Sequence, residues 1–302
     1  MISTLSRVLL VLAAAVLCAL AIGACGDDSE KQASSAKQVL EETFKATSTS
    51  LRSGRLDARL QLEPEGLLAL GGPISLDVKG PFVVPDNEGQ PLADLSAVVT
   101  LAGQRYDGGL ISDGRRAFLK LDGKAYRLDA QQRSGSGTQL KSFAFEPLGA
   151  IEGEQTKGNA RIGGLDTVRV TGKVDPQRLL AGLDGLVDAK MGEQIADAVK
   201  SADFELWSGA EDKIVRQFVL RLGFEFAAGS KPPISGLEAG KIELRVRLDD
   251  VNGKPADLKA PKNALPLSKV PTDRGLGGLV ECVSNAGGSG RGIARCVSAL
   301  KP

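Results

Sequence analysis

The chain predicts an α+β fold in which a long, strongly bent antiparallel sheet wraps around helices. Three patterns predict it: strands that alternate between apolar and charged residues, tight-turn dipeptides between successive strands, and two amphipathic segments of helical period able to cover the apolar side.

The first 24 residues precede the fold. Arg7 and the amino terminus come before an uncharged apolar run over 8–22, which ends abruptly in Gly-Ala-Cys-Gly-Asp-Asp-Ser-Glu-Lys. This is the charged-then-apolar order of an export signal, too short for a comfortable membrane span. The junction Leu20-Ala21-Ile22-Gly23-Ala24-Cys25 resembles the bacterial lipobox. That resemblance implies cleavage before Cys25, which then carries a diacylglyceryl thioether and further acyl chains such as palmitate. One chain holds a protein only marginally, at roughly 0.8 kcal/mol per buried CH₂, so two or three are needed. The alternative is a secreted protein cut near Ala24 with Cys25 incidental. Residues 25–35, rich in Ser, Lys and Gln, read as a tether.

The domain is expected over 36–266. Ala36, Val39, Leu40, Thr43, Phe44, Thr47 and Leu51 share one helical face over 36–51, with Ser35 and Gln38 spaced as a capping box. Strands follow. Leu56, Ala58, Leu60 and Leu62 alternate with Arg55, Asp57, Arg59, Gln61 and Glu63, and Ile74, Leu76 and Val78 with Ser75, Asp77 and Lys79, giving each strand one dry and one wet face. Further strands are expected over 92–101, 104–111, 115–121 and 124–128. Asp113-Gly114 and Asp122-Gly123 separate the last three as type I′ hairpin turns.

Regularity fades over 131–164, a Ser/Gly-rich stretch with an apolar island at Phe143, Phe145, Leu148 and Ile151 that reads equally as a lid or a loop anchor. Alternation resumes over 167–174 with Val168 and Val170 inward. Asp175 and Pro176 then stand as N-cap and first helical residue. Leu179, Leu180, Leu183, Leu186, Val187, Ile195 and Val199 form a helical stripe to Lys200, weakened by Gly182, Gly185 and Gly192 and able to break near Lys190.

The last strands are the most regular. Ile214, Phe218, Leu220, Leu222, Phe224 and Phe226 oppose Gln217, Arg221 and Glu225; Ile242, Leu244, Val246 and Leu248 oppose Lys241, Glu243, Arg245, Arg247 and Asp249. Strands this long must twist or curve. Parity puts Trp207 with Asp203 and Glu205, away from the apolar face. After Pro266 the pattern ends in a tail, 267–302, expected to hold one or two short helices.

Composition narrows the function. The 302 residues contain no histidine, which excludes Ser-His-Asp and Cys-His hydrolases and histidine-ligated zinc. Arg7 is the only charge in the first 24 residues, so a chain beginning at Cys25 has 37 basic and 37 acidic residues, and nucleic-acid binding gains no support. Cys18 leaves with the signal and Cys25 is acylated. In an exported protein the remaining pair, Cys282 and Cys296, is expected to form a disulfide around a glycine-rich loop; metal binding fails for want of further ligands. Asp249 with Asp250, and Asp27 with Asp28, fall in a turn and in the tether, where nothing suggests a buried pair of shifted pKa, so no enzyme, metal or cofactor is expected.

Taken in order, the lipobox, the tether, the amphipathic helix, Ser53-Gly54-Arg55-Leu56-Asp57, Ala117-Phe118-Leu119-Lys120-Leu121-Asp122-Gly123-Lys124-Ala125-Tyr126, Val170-Thr171-Gly172-Lys173-Val174-Asp175, Leu206-Trp207 and Lys213-Ile214-Val215-Arg216 resemble the LppX/LprAFG family of actinobacterial lipoproteins. The resemblance spans about 37–265, and omits 131–164 and the tail. It implies a LolA/LolB-like fold, a half-open antiparallel β-barrel wrapped around covering helices. It also implies that acylated lipids or glycolipids bind an apolar cavity and move across the envelope. The expected lining is Leu56, Leu60, Leu62, Ile74, Leu76, Val78, Val168, Val170, Leu179, Leu183, Leu186, Val187, Phe218, Leu220, Leu222, Phe224, Leu244 and Val246. The partners implied are the lipid itself, the outer leaflet of the cytoplasmic membrane and an envelope lipid exporter; the location is extracytoplasmic. Alternation alone shows that one face avoids water, not what covers it. A passive interaction or sensor lipoprotein with a filled barrel therefore stays open as the second reading.

Overall fold

The computed structural model describes residues 28–66, 69, 72–85, 91–101, 103–128, 151–181, 189–227, 229 and 237–270. The acylation candidate Cys25, the Cys282 and Cys296 pair, and Leu183, Leu186 and Val187 lie outside these residues.

Helix α1 (Asp28–Ser50) precedes six strands in a meander: β1 (Ser53–Glu65), β2 (Ile74–Val83), β3 (Leu92–Leu101), β4 (Gln104–Asp113), β5 (Ala117–Leu121) and β6 (Lys124–Arg127). Then come the hairpin of β7 (Ile151–Ile162) and β8 (Leu165–Val174), helices α2 (Pro176–Ala181) and α3 (Ala189–Ala198), and strands β9 (Val199–Gly209), β10 (Val215–Glu225) and β11 (Ala239–Asp249). A two-residue β12 (Leu265–Pro266) and a 3₁₀ turn (Leu267–Lys269) close the described chain.

All the strands belong to one 12-stranded sheet in the order β12-β6-β5-β4-β3-β2-β1-β11-β10-β9-β8-β7. Every ladder is antiparallel except β12 with β6. Two meanders are thus joined where β1 pairs β11, from Arg55 opposite Asp249 to Glu65 opposite Ala239. The sheet is open: β12 and β7 stand at its two ends and do not pair with each other. This is the expected half-open antiparallel architecture with few helices.

The clean alternation produces β1, β2, β10 and β11 as read. Asp122 (φ 49°) and Gly123 (φ 73°) both take the left-handed conformation of a type I′ turn. At Asp113-Gly114 the turn differs from the expectation. Gly114 alone has positive φ, 82°, Asp113 N–H bonds Arg116 O at 3.1 Å, and the Asp113 carboxylate accepts the Arg115 and Arg116 N–H groups at 3.0 and 2.6 Å, so a side chain and not a type I′ turn closes this loop.

Four expectations are corrected in position. Helix α1 starts at Asp28, inside the expected tether, so Ser35 is not a cap; Gln38 instead donates from its side chain to Glu42 at 2.8 Å. Residues 151–162, expected to be irregular, form edge strand β7. Residues 199–200, expected to end a helix, begin β9 directly after α3. Beyond Pro266, Leu267 and Val270 pack against Leu121 and Tyr126, so the start of the expected tail joins the core of the sheet. The cap at Asp175 forms as read, accepting from the Gln177 N–H at 2.9 Å.

Helix α1 lays Ala36, Val39, Leu40 and Phe44 on one end of the apolar face, in a cluster with Val170, Val174, Ala202, Phe204, Leu206, Val215 and Leu220. Two threonines pin it. Thr43 Oγ1 donates to Val39 O at 2.5 Å and lies 2.7 Å from Ser208 Oγ, while Thr47 Oγ1 donates to Thr43 O and accepts the Val215 N–H at 3.0 Å. A buried polar group costs free energy unless paired, and here the pairing is made by the helix that covers it.

Candidate functional site: an apolar sheet face covered at one end

The ladder registers place the expected lining residues of β1, β2, β8, β10 and β11 on one face. Ala58 stands opposite Val78 and Val246, Val246 opposite Phe218, Phe218 opposite Leu206, and Leu206 opposite Val170. A neighbouring row runs Phe204, Leu220, Leu244, Leu60, Leu76, Val99, Tyr106 across seven strands.

Burial changes steeply along that row. Phe204 and Leu220 are 1% and 7% exposed, Leu244 is half-buried, and Leu60 and Leu76 are 41% and 36% exposed. Leu110, on the same face of β4, is 37% exposed. The cause is the placement of α1, which packs over β7 to β10 and leaves β1 to β4 bare of that helix. Leu56, Leu62, Ile74, Val78 and Val246 are half-buried around the exposed leucines. By contrast Val170 and Leu220 are core beneath α1, and Phe224 packs with Ala198 and Leu237; the lining expected from these three is packed interior. Val168, Phe218 and Leu222 remain half-buried, and Leu179 of α2 packs onto the α1 cluster.

The opposite face is charged and internally paired. Arg169 and Arg221 both donate to Glu205, Arg221 at 2.5 Å, and Arg221 and Arg245 each reach Glu243 at 3.0 Å. Burial pushes the Glu205 carboxyl up, but the hydrogen bonds from Arg221 and Arg169 outweigh it and hold it below its ordinary value. The bond to Glu205 in turn raises Arg221. Trp207 lies on this face, as parity requires, under the Arg169 guanidinium at 5.3 Å from the ring centre. Arg116 is paired with Asp113, Lys120 with Asp94, and Asp249 with Arg247. A depression of about 450 Å³ also opens among charged-face residues including Gln61, Glu63, Asp203, Arg221 and Lys241, away from the exposed leucines. Leu222 and Ile242 line it together with these polar side chains.

What sequence reasoning missed is the difference between two halves of one apolar face. The signal was present only indirectly, in two amphipathic segments too narrow to cover a sheet of this width. Among the described residues no helix is long and apolar enough to cross a membrane.

No protein-family model and no curated protein matches the chain. Among solved structures, LprF from Mycobacterium bovis is similar at 18% identity and a TM-score of 0.48, over 76% of this chain and 98% of that one. Lipoprotein LppX from Mycobacterium tuberculosis is similar at 18% identity and a TM-score of 0.44, over 74% and 98%. A LolA superfamily protein from Nitrosomonas europaea has 12% identity and a TM-score of 0.22, over 74% and 94%. LprF and LppX bear the names of the group that the sequence resembles.

Proposed function

We propose that this chain is a membrane-anchored lipoprotein that binds acylated lipids or glycolipids on the bare half of its apolar sheet face and carries or presents them in the cell envelope. The observation that carries the reading is the exposure of Leu60 and Leu76, adjacent across the β1–β2 ladder and continuous with half-buried aliphatics on both sides. Large apolar side chains held in register and left in contact with water mark a surface that gains from a partner. An alkyl chain suits it, because each methylene moved out of water contributes about 0.8 kcal/mol and needs no directional bond. The lipobox-like junction at Cys25 supports attachment beside the bilayer that supplies such chains. A filled, passive shell would instead bury these leucines under the chain's own residues.

The test is organic extraction and mass spectrometry of a soluble Cys25→Ala form purified from its host. Near-stoichiometric acylated lipid is expected, and its absence would end the carrier reading. Leu60→Gln with Leu76→Gln should reduce the recovered lipid at least tenfold. Because both side chains are more than a third exposed, the melting temperature should change little.

A further inference from the structure

We propose that the end of the sheet bearing the β1–β2, β3–β4 and β10–β11 connections faces the bilayer, so that a lipid surface is the partner of that end. This rests on the reading of Cys25 as an acylated anchor, and not on the lipid cargo.

The first argument is the direction and reach of α1. Its second half is tied to the other end of the sheet: Thr43 meets Ser208, Thr47 accepts from Val215, and the Arg52 N–H donates to Asn252 Oδ1 at 2.7 Å. Followed back toward Asp28 the helix leads away from that end, and the cluster it joins extends to Val174 and Ala202, near the end proposed to face the bilayer. Only Gly26 and Asp27 separate Cys25 from the helix. Those three steps span at most about 10 Å. Residues 28–35 add about 12 Å of helix. Ala36, the first packed residue, is therefore held within roughly 22 Å of the anchored cysteine.

The second argument is charge. The β1–β2 connection, 66–73, and the β3–β4 connection, 102–103, contain no charged residue, and 226–238 between β10 and β11 contains only Lys231 and Glu238. The opposite end has Asp113 to Arg116 after β4, Glu211 to Lys213 between β9 and β10, and Asp249 with Asp250 after β11. A turn without charge approaches the acyl boundary at far lower cost than one rich in carboxylates and ammonium groups. Two connections at the bilayer end carry charge and suit the headgroup layer: the Asp122-Gly123 turn between β5 and β6, and the β8–β9 connection, whose sequence contains Asp175, Arg178, Asp184, Asp188, Lys190, Glu193 and Asp197. In this orientation Leu62 and Ile74 are nearer the leaflet than Leu60 and Leu76, and the bare strip runs away from the membrane along the strands.

The experiment uses the acylated full chain in phosphatidylcholine and phosphatidylglycerol vesicles with brominated acyl chains, in a Trp207→Phe background. Ala69→Trp in the β1–β2 connection should lose at least half its emission relative to unbrominated vesicles, and Glu211→Trp less than a tenth. Stronger quenching of Glu211→Trp, or quenching of neither in protein that floats with vesicles, would overturn the orientation. Failure to float at all would remove the anchor on which it rests. Lipid extraction from the Cys25→Ala form reports on cargo separately, so loss of one reading leaves the other measurable.

Discussion

Glu205 sits 16% exposed between two guanidinium groups and ties three strands together on the charged face. Its folded pKa lies below the unfolded one, so its stabilisation is fully present above the ordinary carboxylate range and disappears as pH falls through the folded value. Glu205→Gln should therefore cost about 1–2 kcal/mol at pH 7. Urea midpoints of the two proteins should converge below about pH 4; a difference independent of pH would assign the loss to packing. The residue scale also shows where sequence reading stops. Leu60 and Leu220 are alike as written, each an inward leucine with one arginine beside it, yet one is exposed and the other buried. Parity reports which side of a sheet a residue faces; only the path of α1 decides whether that side is dry.

Among the elements, α1 depends on its threonines as well as its leucines. Thr47→Val should lower stability by about 1–3 kcal/mol, because it leaves the buried Val215 N–H without an acceptor. Ser48→Val, exposed on the same helix, should lie within about 0.5 kcal/mol of the parent in the same denaturation. The start of this helix was illegible because 28–35 are polar on nearly every face and offer no apolar period. Strand β7 was illegible for a different reason. Its pairing with β8 shifts register between Glu152 and Gln155 and again between Thr156 and Asn159, where Gly153 and Gly158 have φ of 60° and 80°. Each bulge resets the alternation, so no window shows a period of two for long. Strands without such interruptions, β1 and β11 above all, were readable nearly to the residue.

At the scale of the whole molecule, one sheet serves two meanders, and the β1–β11 ladder is the seam between them. Far-ultraviolet circular dichroism, which samples all strands, and Trp207 fluorescence, which samples β9, should report a single coincident urea transition. Two separated transitions would show the halves to be independent. The single antiparallel sheet was legible because many long strands share one apolar side, whereas its half-open form was implied by the resemblance to the LppX/LprAFG lipoproteins.

That seam also orders events in time. Arg52 and Asn252, bonded beside it, are 200 positions apart. Closing so long a loop costs about 5 kcal/mol in chain entropy before any contact offsets it. Such distant pairings also slow folding. The sheet thus cannot be completed until β11 and Asn252 are available to β1. Until then the leucine-rich side of β1 lacks the strand that completes its sheet.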